Sequence, residues 1–232
     1  MSTFAAREVE IAGNLAAVQR RIIDAAERCG RMADEITLIA VTKTYPVSDV
    51  KILYDLGLRN FGENRDQEGA VKAPALPSDA TWHFQGQIQS NKLKSIANWA
   101  QVIHSIDDLG HAKKLNNLSL GKEIFIQVSL DTAADTAADT ATRGGVELDQ
   151  VPGFISEVMN LANLRVLGLM AVAPLNIEPV TAFKKLAQLA GEIRSAHPAI
   201  SKLSAGMSND FEEAIGQGAT HIRLGSQILG VR

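Results

Sequence analysis

From residue 36 onward, short apolar runs rich in β-branched residues alternate with stretches of helical periodicity. The runs fall at 36–41, 60–62, 81–84, 101–105, 123–128, 164–169, 200–203 and 220–224. Helical patterns separate them at about 47–57, 64–73, 89–98, 107–117, 147–161, 179–196 and 209–217. Consecutive strands joined through a helix run parallel, because the crossover returns the chain to the same end of the sheet. Eight such units in about 200 residues predict a closed (β/α)8 TIM barrel, at the small end of that fold's range. A doubly wound open sheet is the alternative, but it usually needs fewer units, and the first βα loop lacks the Gly-x-Gly-x-x-Gly of a dinucleotide site. Ahead of the barrel, residues 3–29 predict one long amphipathic helix, with Val9, Leu15, Val18, Ile22 and Ile23 near helical spacing and Gly30 as its stop.

No break in composition divides residues 1–232, so a single barrel domain is expected, with the extra helix within 1–30. The one low-complexity piece, Asp131 to Gly145, repeats Asp-Thr-Ala and predicts a long flexible loop at 131–145, after the fifth strand. Net charge is −3 with both signs mixed along the chain, so nothing marks a nucleic-acid surface. No apolar stretch approaches the roughly 20 residues that span a bilayer. The charged N-terminal pattern, with Arg7, Glu8, Glu10, Arg20, Arg21 and Asp24, is not that of a signal peptide. The single cysteine, Cys29, can form neither an internal disulfide nor a thiolate-rich metal site. A cytoplasmic protein is the expectation.

In a barrel of this kind, residues just past the carboxyl ends of the strands converge on one mouth. Strand one delivers Lys43, strand two Glu63 and Asn64, strand three His83 with Gln85 and Gly86, and strand four His104 and Ser105. Strand seven delivers Ser204 to Ser208 and strand eight Arg223 to Ser226. A lysine amine desolvated at the mouth, with other cations nearby, is depressed in pKa and can attack an aldehyde. Gly206 and Gly225 let backbone approach a ligand closely, while Ser208 and Ser226 offer hydroxyls and precede short helical segments whose free N–H groups favour a phosphate. No cysteine or carboxylate accompanies His83 and His104 at ligand spacing, so no metal site is expected; His83, one residue inside a strand end, reads as a hydrogen-bonded structural residue or part of the mouth. Met207 is taken as packing beneath its loop.

These residues resemble the pyridoxal-phosphate homeostasis proteins, relatives of the alanine racemase barrel domain. The resemblance is carried by Ala40-Val41-Thr42-Lys43-Thr44-Tyr45-Pro46, Phe61-Gly62-Glu63-Asn64 with Gln67-Glu68, Trp82-His83-Phe84-Gln85-Gly86 with Gln89-Ser90-Asn91-Lys92, and Ile103-His104-Ser105-Ile106-Asp107. Gly168-Leu169-Met170, Leu203-Ser204 with Gly206-Met207-Ser208 and Asp210, and Ile222-Arg223-Leu224-Gly225-Ser226 with Gly230 complete it over residues 36–232. It implies that Lys43 holds pyridoxal 5′-phosphate (PLP) as a Schiff base. It further implies that Ser208, Gly225 and Ser226 bind the phosphate, that Arg223 meets the pyridine nitrogen, and that Asn64, Ser204 and Met207 lie beside the ring. Ala205 and Ser129 depart from the family pattern, where methionine and asparagine are usual, and the 131–145 loop is longer than usual.

Physical reasoning favours a carrier over an enzyme. PLP enzymes that abstract the α-proton use the ring as an electron sink, tuned by the partner of the pyridine nitrogen. Arginine can only donate there, which weakens the sink. Alanine racemase takes its second base, a tyrosine, from a partner's β-domain. This chain runs out soon after strand eight, and its only tyrosines are Tyr45 and Tyr54, so no such base is expected. The expectation is therefore a non-catalytic monomer that reversibly holds PLP and related B6 vitamers for buffering or for delivery to PLP-dependent apo-enzymes. A weak racemase, a Schiff-base aldolase and a pure interaction scaffold are the alternatives.

Overall fold

The strands β1 (Thr37–Val41), β2 (Asn60–Glu63), β3 (Thr81–Phe84), β4 (Val102–Ile106), β5 (Lys122–Gln127), β6 (Leu164–Met170), β7 (Lys202–Ser204) and β8 (His221–Leu224) pair in chain order and close through β1 and β8. Every pairing is parallel. This is a computed structural model, and it describes residues 3–118, 121–131 and 144–230. Around the barrel lie α2 (Val47–Asp55), α3 (Asp66–Lys72), α4 (Leu93–Trp99), α5 (Leu109–Leu118), α6 (Val151–Val158), α7 (Pro179–Ala196), α8 (Phe211–Gly216) and α9 (Ser226–Leu229), with α1 (Thr3–Arg28) preceding it. The expected closed barrel with an added N-terminal helix is what the chain forms. Most of the 131–145 loop lies outside the described residues. Its far foot is anchored where Gly145 N–H donates to Asp107 Oδ2 at 3.0 Å and Gln127 Nε2 to Gly144 O at 3.1 Å.

Strand side chains alternate between two layers. Leu38 and Ala40 join the main core between sheet and helices, with Leu53, Leu93, Ile155 and Phe183. On the inner face, Val102, Phe125 and Met170 form a small separate cluster. His104 stacks on Phe125 there, ring centroids 4.5 Å apart. The barrel interior is thus apolar over only part of its height, which leaves room for the polar chain described below.

Helix α1 buries Ile11, Leu15, Val18, Ile22, Ala25 and Ala26. Val9 and Ile23, placed on the apolar face by the sequence pattern, are 67% and 42% exposed. The stripe runs through Ile11 and two alanines instead, because α1 packs closely on α2, α8 and α9 and small residues permit that approach. It stops at Gly30, whose φ of 69° suits a left-handed C-cap. There Gly30 N–H bonds Glu27 O at 3.0 Å and Arg31 N–H bonds Ala26 O at 2.9 Å. Among the described residues no helix is long and apolar enough to cross a membrane.

Closure leaves no slack at β6. A Cβ on Gly168 would lie 1.7 Å from Lys202 O in β7, an atom that cannot move without breaking the pairing. Gly168→Ala is expected to destabilise the fold by about 3 kcal/mol or more, seen as a lowered denaturation midpoint. An unchanged midpoint would mean that the β6–β7 seam tolerates separation.

Candidate functional site

Lys43 lies two residues past the end of β1 and is exposed, with no hydrogen-bond or ion-pair partner among the described residues. The desolvated amine expected from sequence is therefore not what the mouth provides. Gly225 follows the neighbouring β8, and a Cβ there would come 3.0 Å from Val41 O. That turn consequently lies against the strand that delivers Lys43. Ser208 Oγ and Ser226 Oγ are 3.2 Å apart, so their two loops meet. Gln227 Nε2 also donates to Ser208 O. Asn64 follows β2 and is exposed. Its carbonyl is approached so closely by Gly86 that a Cβ there would sit 2.0 Å away.

Some expected placements change. Met207 is 38% exposed rather than packed beneath its loop. The helix after Ser208 begins only at Phe211, and the Asp210 carboxylate before it accepts Met207 N–H at 2.6 Å. Free helix N–H groups do not therefore follow Ser208 directly. His104 is buried in the barrel interior rather than at the mouth, pointing inward to Ser204, and His83 takes the hydrogen-bonded structural role, one of the two expected of it, buried and pointing to Asn60.

The backbone on both sides of Lys43 is held tightly. Thr44 has φ 69°, the one positive value at a non-glycine residue among those described. A left-handed conformation costs an L-residue about 1–2 kcal/mol, so it persists only where surroundings impose it. Thr44 N–H donates to Glu68 Oε2 at 2.7 Å. On the other side, Thr42 Oγ1 donates to Glu63 Oε1 at 2.5 Å. Lys72 Nζ joins the two, donating to Thr42 O at 2.7 Å, Glu63 Oε1 at 2.7 Å and Glu68 Oε2 at 2.8 Å. Glu63 and Lys72 are both buried. Burial raises the Glu63 carboxyl above its ordinary range, against the hydrogen bonds from Lys72 and Thr42. Its Oε2 is buried with no partner, which works in the same direction. At Glu68 burial also pushes upward, but Lys72 and the Thr44 N–H outweigh it and hold the carboxyl low. Glu68 and Lys72 are four apart on α3 and look in sequence like an ordinary surface pair; nothing in the sequence marks Lys72 as buried.

Below the mouth, Arg223 is buried among neutral partners. Its Nη1 donates to Ser204 Oγ at 2.7 Å and its Nη2 to Ala171 O at 3.0 Å. Burial lowers its guanidinium to about 10, against the field of Asp210, so it stays cationic at neutral pH. Ser204 Oγ lies 2.9 Å from His104 Nδ1, His104 Nε2 lies 2.9 Å from His83 Nδ1, and His83 Nε2 lies 3.0 Å from Asn60 Oδ1. Asn60 Oδ1 only accepts, so His83 Nε2 carries a proton; with neutral rings that order runs back along the chain, and Ser204 accepts from Arg223 and gives its own proton to His104. Both histidines are then neutral with the proton on Nε2, and the chain runs one way from Arg223 to Asn60.

These atoms gather several distinct groups at one end of the barrel. Gly225 leaves little room for a side chain, two serine hydroxyls meet beside it, a buried cation with neutral partners lies below, and an amine with no partner among the described residues stands at the mouth. This barrel is that of the alanine racemase N-terminal domain, whose family model matches residues 14–232. The chain belongs to the pyridoxal phosphate homeostasis protein family. It is 37% identical over 234 residues to the protein of that name from Escherichia coli, covering 96% of this chain and 97% of that one. The Mycobacterium bovis protein of the same name is 35% identical over 257 residues, covering 100% and 96%. PipY of Synechococcus elongatus, solved with PLP bound, is 29% identical with a TM-score of 0.80, covering 95% of this chain and 100% of that one. Alanine racemase from Corynebacterium glutamicum shares the fold at a TM-score of 0.70 and 16% identity, with 97% of this chain matching 61% of that one.

The buried histidines make stability depend on pH. Burial, with the field of His221, lowers His83 to about 3. Burial, with Lys202 and Arg223, lowers His221 to about 4, and His104 falls well below its ordinary value chiefly through burial. Unfolded, each returns to about 6.5. Below that value the unfolded chain binds protons the folded chain excludes, so this stability is complete above about pH 6.5 and is lost as pH falls toward the folded values. Denaturant titrations should show unfolding free energy falling by roughly 1.4 kcal/mol per pH unit for each histidine between about pH 6.5 and 5. A flat profile there would place the rings in contact with solvent.

Proposed function

We propose that this protein reversibly holds pyridoxal 5′-phosphate on Lys43, for buffering or delivery, without substantial turnover. The carrying observation is Lys43 itself: an exposed amine with no partner among the described residues, just past the end of β1 against which the Gly225 turn packs, with Ser226 next in that turn and Ser208 Oγ 3.2 Å from its hydroxyl. Ser208, Ser226 and the backbone of Gly225 would hold the phosphate. Arg223, fixed by Ser204, would meet the ring nitrogen, with Asn64 and Met207 at the sides. Bound PLP supplies an aldehyde carbon that a primary amine attacks with loss of water, a reaction that water or a competing amine reverses. The PLP-bound PipY and the homeostasis proteins support this reading.

A racemase would need a second base, and both tyrosine hydroxyls have prior partners. Tyr45 OH donates to Gly230 O, and Tyr54 OH donates to Asp79 Oδ1 at 2.6 Å. His83 and His104 are buried and occupied with each other. Arg223, a donor only, can take no proton. We therefore infer a single barrel domain acting as a monomeric, cytoplasmic carrier. B6 vitamers are its ligands and PLP-dependent apo-enzymes its recipients.

Protein purified without added vitamer, or soaked with PLP, should absorb in the visible. Borohydride should bleach that band and leave the added mass on the Lys43 peptide. Lys43→Ala should abolish the adduct, and alanine incubated with the loaded protein in deuterated water should keep its α-hydrogen. A colourless protein that takes up no PLP defeats the carrier reading, and rapid exchange at the α-carbon restores the racemase.

A further inference from the structure

Lysine is a long side chain whose four side-chain torsions leave its amine poorly placed when nothing pairs with it. Lys43 is such a residue, yet its neighbours on both sides are among the most constrained in the mouth. Thr42 is fully buried, with its hydroxyl on Glu63 and its carbonyl on Lys72. Thr44 is held in a left-handed conformation, with its N–H on Glu68. Both restraints meet at one ammonium, because Lys72 Nζ bonds Glu63 and Glu68 as well as Thr42 O. A helix-stabilising pair of the Glu68–Lys72 kind needs neither burial of the lysine nor a bond to a strand carbonyl.

We propose that Lys72, acting through Glu63, Glu68 and the backbone of Thr42 and Thr44, is a positioning residue for Lys43. It fixes where the Lys43 side chain starts and which way it leaves the strand, so that the amine searches a small volume above the phosphate loops. The inference rests on Lys43 being the covalent anchor. In that step the neutral Nζ forms a bond to the aldehyde carbon. The carbonyl oxygen departs as water, taking both amine protons. Restricting the approach of the attacking atom speeds such a step without changing what the phosphate and ring contacts contribute to binding.

The test compares two ligands on folded, full-length protein. PLP reports capture through the growth of visible absorbance, whereas pyridoxine 5′-phosphate, with an alcohol in place of the aldehyde, reports non-covalent binding alone. Lys72→Met is expected to slow capture of PLP by roughly ten- to a hundredfold while changing the dissociation constant for pyridoxine 5′-phosphate by less than about twofold. Glu68→Ala, which releases the Thr44 N–H and removes one of the two carboxylates on Lys72 but leaves the Thr42 and Glu63 contacts of Lys72 in place, lies nearer solvent and should slow capture in the same selective way; it decides the matter if Lys72→Met does not fold. Equal losses for both ligands, or no loss for either, overturn the inference. Failure of the unaltered protein to capture PLP overturns the anchor reading and this inference together, so the two failures are told apart by the unaltered protein.

Discussion

Parallel pairing between β1 and β8 sets Ile39 opposite Arg223 and Ala40 opposite Leu224. That register brings residues from the two ends of the sequence to one side of the mouth: Lys43 just past β1, and Gly225 and Ser226 just past β8. Gly225 eases that approach, since a Cβ there would crowd Val41 O at 3.0 Å. The outer face of the same seam is braced by α1. Arg7 donates to Leu229 O at 2.8 Å and to Asp49 Oδ2 at 2.7 Å, and Asn14 donates to Ile228 O at 3.2 Å. Tyr45, two residues past Lys43, bonds the carbonyl of Gly230. The turn that carries the amine and the helix that follows the serine loop are therefore tied to each other and to α1.

A buried cation without a carboxylate in contact is expensive, and Arg223 is one. Its stability has to come from elsewhere, and the main apolar core between sheet and helices supplies it. The cost is kept down by full use of its neighbours. Ser204, His104, His83 and Asn60 form a chain in which each group accepts from one neighbour and, as far as His83, donates to the next. Such a chain leaves Ser204 with no proton to offer a ligand, so its influence at the mouth passes through the orientation it gives Arg223.

The alternation of apolar β-branched runs with helical stretches made the barrel legible, because eight such units in about 200 residues have few other solutions. Lys43, Arg223 and the paired loops were legible for a related reason: once the barrel is granted, strand ends point to one mouth. Depth was not. His83 and Arg223 both stand in strands, and nothing in the run Thr81-Trp82-His83-Phe84 says how far below the rim an inward residue sits. Lys72 escaped altogether. Its partners include a main-chain carbonyl on another element, and a single sequence carries no record of such a contact. The faces of α1 failed at Val9 and Ile23 because small residues can occupy a close helix–helix contact as well as large ones do. Hydrophobicity alone does not distinguish them.

The site combines a rigid floor with an open wall, and the division matters for what it can do. Arg223, Ser204, Lys72 and Glu63 are buried, whereas Lys43 and Asn64 stand exposed. An enzyme that stabilises charge on a bound substrate gains from excluding water, since electrostatic interactions strengthen as the local dielectric falls. A carrier gains from the opposite arrangement. Release of an aldehyde from an amine requires water or a second amine to reach the joining carbon, and an exposed lysine lets both arrive. For the proposed carrier, rigidity in the floor would make recapture selective for a ligand with the right phosphate and ring, and exposure at the wall would keep the covalent step reversible.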